Sequence, residues 1–410
     1  MPNARQPRTP PKVPRPTPAP RTAGPAVERL RHDLAAADPG DRRAVLERFR
    51  RTTARTTPLV EPVDGSPGEA VVTFLWWDAT AERVLLFVNR LTDERRLDDS
   101  LMARLPGTDL WHLSYRMPVT WRASYALLPH ADTGPPPWRV GDQAALRQAL
   151  DRGRTDPHNP ASCQNRAGRV QSVVALDQAP AQRWLAPRPG VARGRLTERP
   201  GPDGRRVWVY EPAGLDPAEP GDLLVVLDGD VWTTTQDLPT TLDNLRHDRA
   251  IRPLRALLVD SGDRASRWRD LADGGAAASV AGELLDWARR EHPVPDTPSA
   301  VTVAGQSLGG LTALNTVVRH PDRVGAAISQ SASLWQGDPT TDAAVRRLDG
   351  VRAWVEVGTE EWILHPPHRP MVDRLAALGA DVAYVEYTGG HDYACWRGGI
   401  ADGLRHLHPA

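Results

Sequence analysis

Cysteine, lysine and long apolar runs are scarce in this chain of 410 residues. Two cysteines, Cys163 and Cys395, cannot build a disulfide scaffold, and neither sits at a spacing that reads as zinc, so a thiol-reducing, cytoplasmic setting is expected. No stretch reaches ~18 uninterrupted apolar residues, so no membrane insertion is expected. The first 26 residues also lack the apolar run, roughly 7–15 residues long, of a secretory leader. Excess charge of either sign is missing as well: Lys+Arg and Asp+Glu both count 51. That balance leaves no chain-wide electrostatic footprint for nucleic acid, and a charged ligand would need a local cluster. There is no GxxxxGK[ST] loop, no GxGxxG turn and no internal repeat.

What is abundant is proline, 40 residues, against a usual share of roughly 5%. Residues 1–26 hold nine prolines and five basic side chains with no acid, and are expected to form a disordered, polyproline-prone tail, with a docking arm as the alternative. Residues 27–187 are expected to form a helical lead-in broken at Pro39-Gly40, then a small antiparallel β-sandwich, then a connection. The sandwich rests on short β-branched or aromatic runs at 71–77, 84–88, 111–115 and 122–128. The segment 129–185, rich in Pro, Asp, Gly and Arg with one helical patch near 144–150, reads as a wrapping connection or a linker. From 188 to 410 the rhythm changes. Strand candidates at 206–210, 223–227, 256–260, 300–304, 326–329, 353–357 and 382–387 alternate with helical patterns, which predicts a mostly parallel α/β sheet with helices on both faces.

The chemistry centres on Gly305-Gln306-Ser307-Leu308-Gly309. A β-branched strand runs into this G-x-S-x-G and a helix opens directly after it, the context a nucleophile elbow requires for Ser307. Serine needs a base, and in the α/β-hydrolase order an acid and then a histidine follow the nucleophile. His391, on the Gly-rich turn after the last strand, has the best surroundings. His365, His368, His406 and His408 read as structural. The acid is expected on the loop after 353–357: Glu361 first, Glu360 second, with Glu356 inside the strand as a buried structural partner. Oxyanion donors are expected from the amide of Leu308 and from the turn after 223–227, at Gly229 or Asp230. Asp228 or Asp230 as a metal ligand is the alternative, though no companion cluster is visible.

In its second half the chain resembles the enterochelin (ferric enterobactin) esterases of the α/β-hydrolase class. The strings that carry the resemblance are LLVVLDGDVW (223–232), LLVDSGDR (257–264), VAGQSLGGLTALNTVVRHPDRVGAAISQSASLW (303–335), VEVGTEE (355–361) and GGHDYACWRGGIADGL (389–404). The first half is similar to that family's N-terminal sandwich through VTFLW (72–76), LWHLSYRMPVTWRASYALLP (110–129) and DPHNP (156–160). The resemblance implies an α/β-hydrolase preceded by a β-sandwich, a Ser307–Glu361–His391 triad, and hydrolysis of the ester bonds of a ferric catecholate siderophore. Iron would then enter only with the substrate, with no protein-bound metal or other cofactor. A bulky aromatic trianion wants guanidinium groups and large rings, which nominates Arg264, Trp232, Trp335, Trp396 and Arg397 as substrate contacts. The first domain would cover the cleft mouth, or else serve as a carbohydrate-binding module or a dimerisation surface. The rivals are an esterase of this fold with another acyl or lactone substrate, and a siderophore-binding protein without catalysis.

Overall fold

The computed structural model describes Pro11 and residues 13–53, 56–139, 141–272, 275–342 and 344–410, which form two units. The first comprises Val13–Pro180 together with Thr388–Ala394. Its helices α1 (Pro25–Ala36) and α2 (Arg42–Thr53) flank the Pro39-Gly40 break. Two four-stranded antiparallel sheets follow, β1 (Leu59–Pro62)–β2 (Glu69–Trp77)–β5 (Leu110–Pro118)–β4 (Ala103–Arg104), and β3 (Arg83–Val88)–β6 (Arg122–His130)–β8 (Val170–Ala175)–β7 (Ser162–Gln164). Their facing side chains, among them Val72, Phe74, Leu86, Tyr115, Tyr125 and Leu127, form one buried core, as two half-apolar sheets must.

Two sequence expectations change here. Part of the tail, 1–10 and Lys12, lies outside the described residues. Residues 20–22 are ordered against the sandwich rather than disordered: Arg21 bridges Tyr115, Thr22 N–H donates to Ser114 C=O, and Pro20 C=O accepts from Arg116. The cause is an open edge. β4 pairs β5 only at Trp111 and His112, so the polar groups of Ser114–Arg116 would otherwise lack ladder partners, and even a proline offers its carbonyl. The 129–185 segment is not a wrapping connection. It contributes α3 (Gln143–Asp151), β7 and β8, and Trp138, Ala149 and Leu150 bury against Leu85 and Leu128.

The second unit, Ala181–Tyr387 with Cys395–Ala410, holds an eight-stranded sheet of order β16-β15-β14-β13-β11-β12-β10-β9. The edge strands β9 (Arg195–Pro200) and β10 (Arg206–Glu211) are antiparallel. β11 (Asp222–Leu227), β12 (Leu254–Val259), β13 (Val301–Gln306), β14 (Ala326–Gln330), β15 (Arg352–Gly358) and β16 (Asp381–Tyr387) run parallel. Every residue of β13 is buried, as expected of a strand covered on both faces. Helices α4 (Gly229–Thr234), α5 (Leu238–His247), α6 (Arg264–Ala272), α7 (Gly275–Ser279), α8 (Leu285–Glu291), α9 (Leu308–Arg319), α10 (His365–Ala377) and α11 (Tyr393–Leu407) alternate with the strands. The α/β-hydrolase expectation therefore stands, with β9 the strand missed in this unit: half of its Arg195–Pro200 residues are charged and all but Thr197 are exposed. Among the described residues no helix is long and apolar enough to cross a membrane.

Candidate active site

Parallel strands deliver their following loops to one sheet edge, and the chemistry-bearing residues of the second unit leave the sheet there. Ser307 follows β13 and caps α9 in a conformation rare for a non-glycine residue, φ 60 and ψ −117. The turn is held by main chain: Ser307 N–H donates to Gln330 C=O (2.8 Å) and Ser333 N–H to Ser307 C=O (3.0 Å). Gly305 is obligatory, because a Cβ there would lie 2.5 Å from the carbonyl carbon of Gly309. The Ser307 hydroxyl is 3.2 Å from that of Ser333. Leu308 opens α9, so its amide lies at the positive end of a twelve-residue helix.

β11 is the parallel neighbour of β13, with Val226 opposite Ala304, so the 228–230 turn emerges beside the elbow. Gly229 and Asp230 are the first residues of α4, behind a left-handed Asp228 (φ 59). Asp228 is fully buried and receives a two-point bond from Arg267 (2.6 and 2.7 Å) plus one from Gln306 Nε2 (2.9 Å). Its carboxylate is thus engaged by a guanidinium and an amide rather than turned toward a metal. Gln306 in turn accepts from the Trp232 indole (3.0 Å). This chain of contacts ties the 228–230 turn to the residue before the nucleophile.

Glu361 lies on the loop after β15 and is 1% exposed. Its Oε1 accepts from Ser331 Oγ (2.6 Å), Gly358 N–H (3.0 Å) and the Tyr387 hydroxyl (3.2 Å), an arrangement suited to a carboxylate. Ser331 also sits at positive φ (49) and accepts from the Trp396 indole (3.0 Å). Burial, with the nearby Glu361 charge, pushes the Tyr387 phenol well above its usual range, so it remains a donor. Glu360 is only partly buried. Glu356 is buried inside β15 against Gln330 Nε2 (2.7 Å) and the Trp354 indole (2.9 Å). Burial raises its carboxyl from 4.5 to about 7.

His391 is carried by the segment between β16 and α11, and within the sandwich unit its carbonyl accepts from Asn89 Nδ2 (2.9 Å). The four histidines read as structural have packing partners. His368 is buried on Leu364 C=O, with its pKa lowered by that burial; His365 meets Glu386, His406 meets the Trp354 ring, and His408 bridges Thr302 and Asp222.

The nominated substrate contacts divide. Trp232 and Trp396 are corrections: they are 1% and 3% exposed, and their indole N–H groups bond Gln306 and Ser331 inside the unit, so neither presents a ring to a ligand. Trp335 is half-buried and stacks on Trp268 with ring centroids 5.8 Å apart. Arg397 is half-buried beside Gln182 (3.3 Å), and Arg264 is exposed at the start of α6. Sequence reasoning missed Arg267 and the Ser331 hub. Arg267 stands three residues past the nominated Arg264 on the same helix, and Ser331 lay in a string quoted only for its resemblance.

Comparisons with known proteins agree with this architecture. Residues 71–185 match the profile described as "Enterochelin esterase, N-terminal", and 202–407 match "Putative esterase". The chain is 32% identical to the iron(III) salmochelin esterase of Escherichia coli O6:H1, over 92% of this chain and 97% of that protein. It is 32% identical to the iron(III) enterobactin esterase of Dickeya dadantii, covering 86% and 90%. Among solved structures, the ferric enterobactin esterase of Salmonella typhimurium superposes with a TM-score of 0.74 at 29% identity, covering 88% of this chain and 98% of that one. An enterobactin esterase from Shigella flexneri, crystallised in the presence of enterobactin, gives 0.70 at 27% identity, covering 88% and 97%. With both domains matched in order along nearly its whole length, the chain belongs to the enterochelin esterase family and is a carboxylic ester hydrolase.

Proposed function

We propose that this esterase hydrolyses the ester bonds of a catecholate siderophore trilactone, in its ferric or iron-free form. The observation that carries the reading is the match of both domains, end to end, to proteins named as iron(III) enterobactin and salmochelin esterases. In the proposed cycle His391 takes the Ser307 proton as Oγ attacks a serine-ester carbonyl, and the carbonyl π electrons move to oxygen. The Leu308 amide and the Gly229/Asp230 turn stabilise that oxyanion, while Glu361 stabilises the imidazolium. The C–O bond then breaks and His391 protonates the departing alkoxide. A water, deprotonated by His391, cleaves the acyl-enzyme and regenerates Ser307. The cycle requires no resident metal or cofactor: iron arrives with the substrate, and cutting the ring weakens its chelation. Arg264, Arg397 and Trp335 remain the proposed contacts for the anionic, aromatic ligand. The reading assigns the reaction to the cytoplasm, and its support is the low cysteine count of two in 410 residues.

Chromatography of the purified protein incubated with cyclic and linear tri-catecholate esters, with and without ferric iron, tests the substrate. Appearance of linear trimer, dimer and monomer is expected. Cleavage of other acyl esters with both catecholates left intact would contradict it.

A further inference from the structure

The segment Thr388–Ala394 is continuous in sequence with β16 and α11, yet it packs with the sandwich unit. Arg122 N–H on β6 donates to Thr388 C=O (3.0 Å), and the hydroxyls of Thr120 and Thr388 are 2.8 Å apart. Ser124 N–H, also on β6, donates to Asp392 Oδ2 (2.6 Å), while Asp392 Oδ1 accepts from Ala394 N–H (2.9 Å). Between these anchors Asn89 Nδ2 donates to the carbonyl of His391 itself (2.9 Å). Gly390 makes that approach possible: a Cβ there would lie 2.6 Å from Asn89 Oδ1 and 2.6 Å from Arg90 Cβ. The corner it meets is fixed in its own right, with Arg90 at φ 58 and Asn89 N–H bonded to Ser124 C=O (3.0 Å).

A turn with two adjacent glycines, Gly389 and Gly390, has many conformations in isolation, and a base works only when its ring is held within hydrogen-bond reach of the proton it takes. We infer that the N-terminal sandwich positions the catalytic base: Asn89, with the Ser124 and Arg122 amides, fixes the main chain from which the His391 imidazole projects. This rests on the reading of His391 as base, and Asn89 is a positioning residue that touches no substrate. The sandwich then contributes to turnover of any ester, including one too small to use a siderophore pocket.

The test uses the full-length protein and two substrates, p-nitrophenyl acetate and a linear tri-catecholate ester. Asn89→Asp removes the donor and sets an anionic oxygen against the carbonyl, while Gly390→Ala forces the corner apart without altering a donor. Both variants are expected to lower kcat about 10- to 100-fold on both substrates, with KM within about twofold, and to displace the acid limb of the kcat/KM–pH profile. Far-UV circular dichroism and Tm establish that the variants are folded at the assay temperature. The inference is overturned if folded variants keep wild-type kcat on p-nitrophenyl acetate, if only KM for the catecholate rises, or if the acid limb stays in place. His391→Ala separates the two levels. Wild-type turnover in that variant would remove the base assignment altogether, whereas an inactive His391→Ala beside a fully active Asn89→Asp would remove only the clamp.

Discussion

Two serines in left-handed or rarer backbone conformations mark the candidate site, Ser307 at φ 60 and Ser331 at φ 49, and each is held by main-chain bonds to a neighbouring strand or loop. Strain of this kind persists only where the surroundings over-determine it. Ser331 is the hub that joins Trp396, Tyr387 and Glu361. A hydrogen bond to a charged group contributes about 1.5–3 kcal/mol, so Ser331→Ala is expected to lower kcat roughly tenfold or more with little change in KM, read by steady-state kinetics. Ser331→Gly relaxes the backbone but also lacks the hydroxyl, and should be as slow as the alanine variant. Recovery in the glycine variant would show that conformation, not the hydroxyl, matters. On the other side of the elbow, Arg267→Met strips the buried Asp228 of its guanidinium. Losing one partner of a buried pair costs about 3–5 kcal/mol, measurable by urea unfolding, and Asp228→Asn in the same chain should recover much of it.

At the scale of elements, the elbow depends on β13 and α9 touching main chain to main chain at Gly305 and Gly309. Gly305→Ala should therefore lower Tm by several degrees or prevent folding, because the atom it meets is backbone and cannot swing aside. A wild-type Tm would contradict the tight strand–helix contact. These elements were legible in the sequence because pattern and burial coincide: β11 carries the apolar run Leu223–Leu227, β13 and β14 are buried at every position, and G-x-S-x-G marks the turn between β13 and α9. Elements whose order comes from partners were not. β7 is only Ser162–Gln164, β9 is mostly exposed and half charged, and residues 20–22 are ordered by an open edge of β5 that no local property announces. For the same reason the side chains that hold the proposed site residues, Ser331 and Arg267 among them, could not be named from the sequence. Trp232 and Trp396 look like ligand platforms in sequence, and only the fold turns them inward toward Gln306 and Ser331.

Over the whole molecule, the buried carboxyl of Glu356 ties stability to pH. Burial, assisted by the charges of Asp402 and Glu361 and opposed by bonds from Trp354 and Gln330, raises its pKa from 4.5 to about 7. The native state then holds a proton that the unfolded chain releases, so this contribution is fully present below about pH 4.5. It is lost as pH rises through about 7, at about 1.4 kcal/mol for each tenfold difference in proton affinity. Glu356→Gln should flatten that part of the urea-unfolding profile between pH 5 and 8, and an unchanged slope would contradict the assignment. The most direct measurement is turnover and binding by Ser307→Ala with a tri-catecholate trilactone. Loss of a triad nucleophile should reduce kcat by up to ~10⁶ while the ligand still binds. Hydrolysis at the wild-type rate in that variant would contradict the account at its centre.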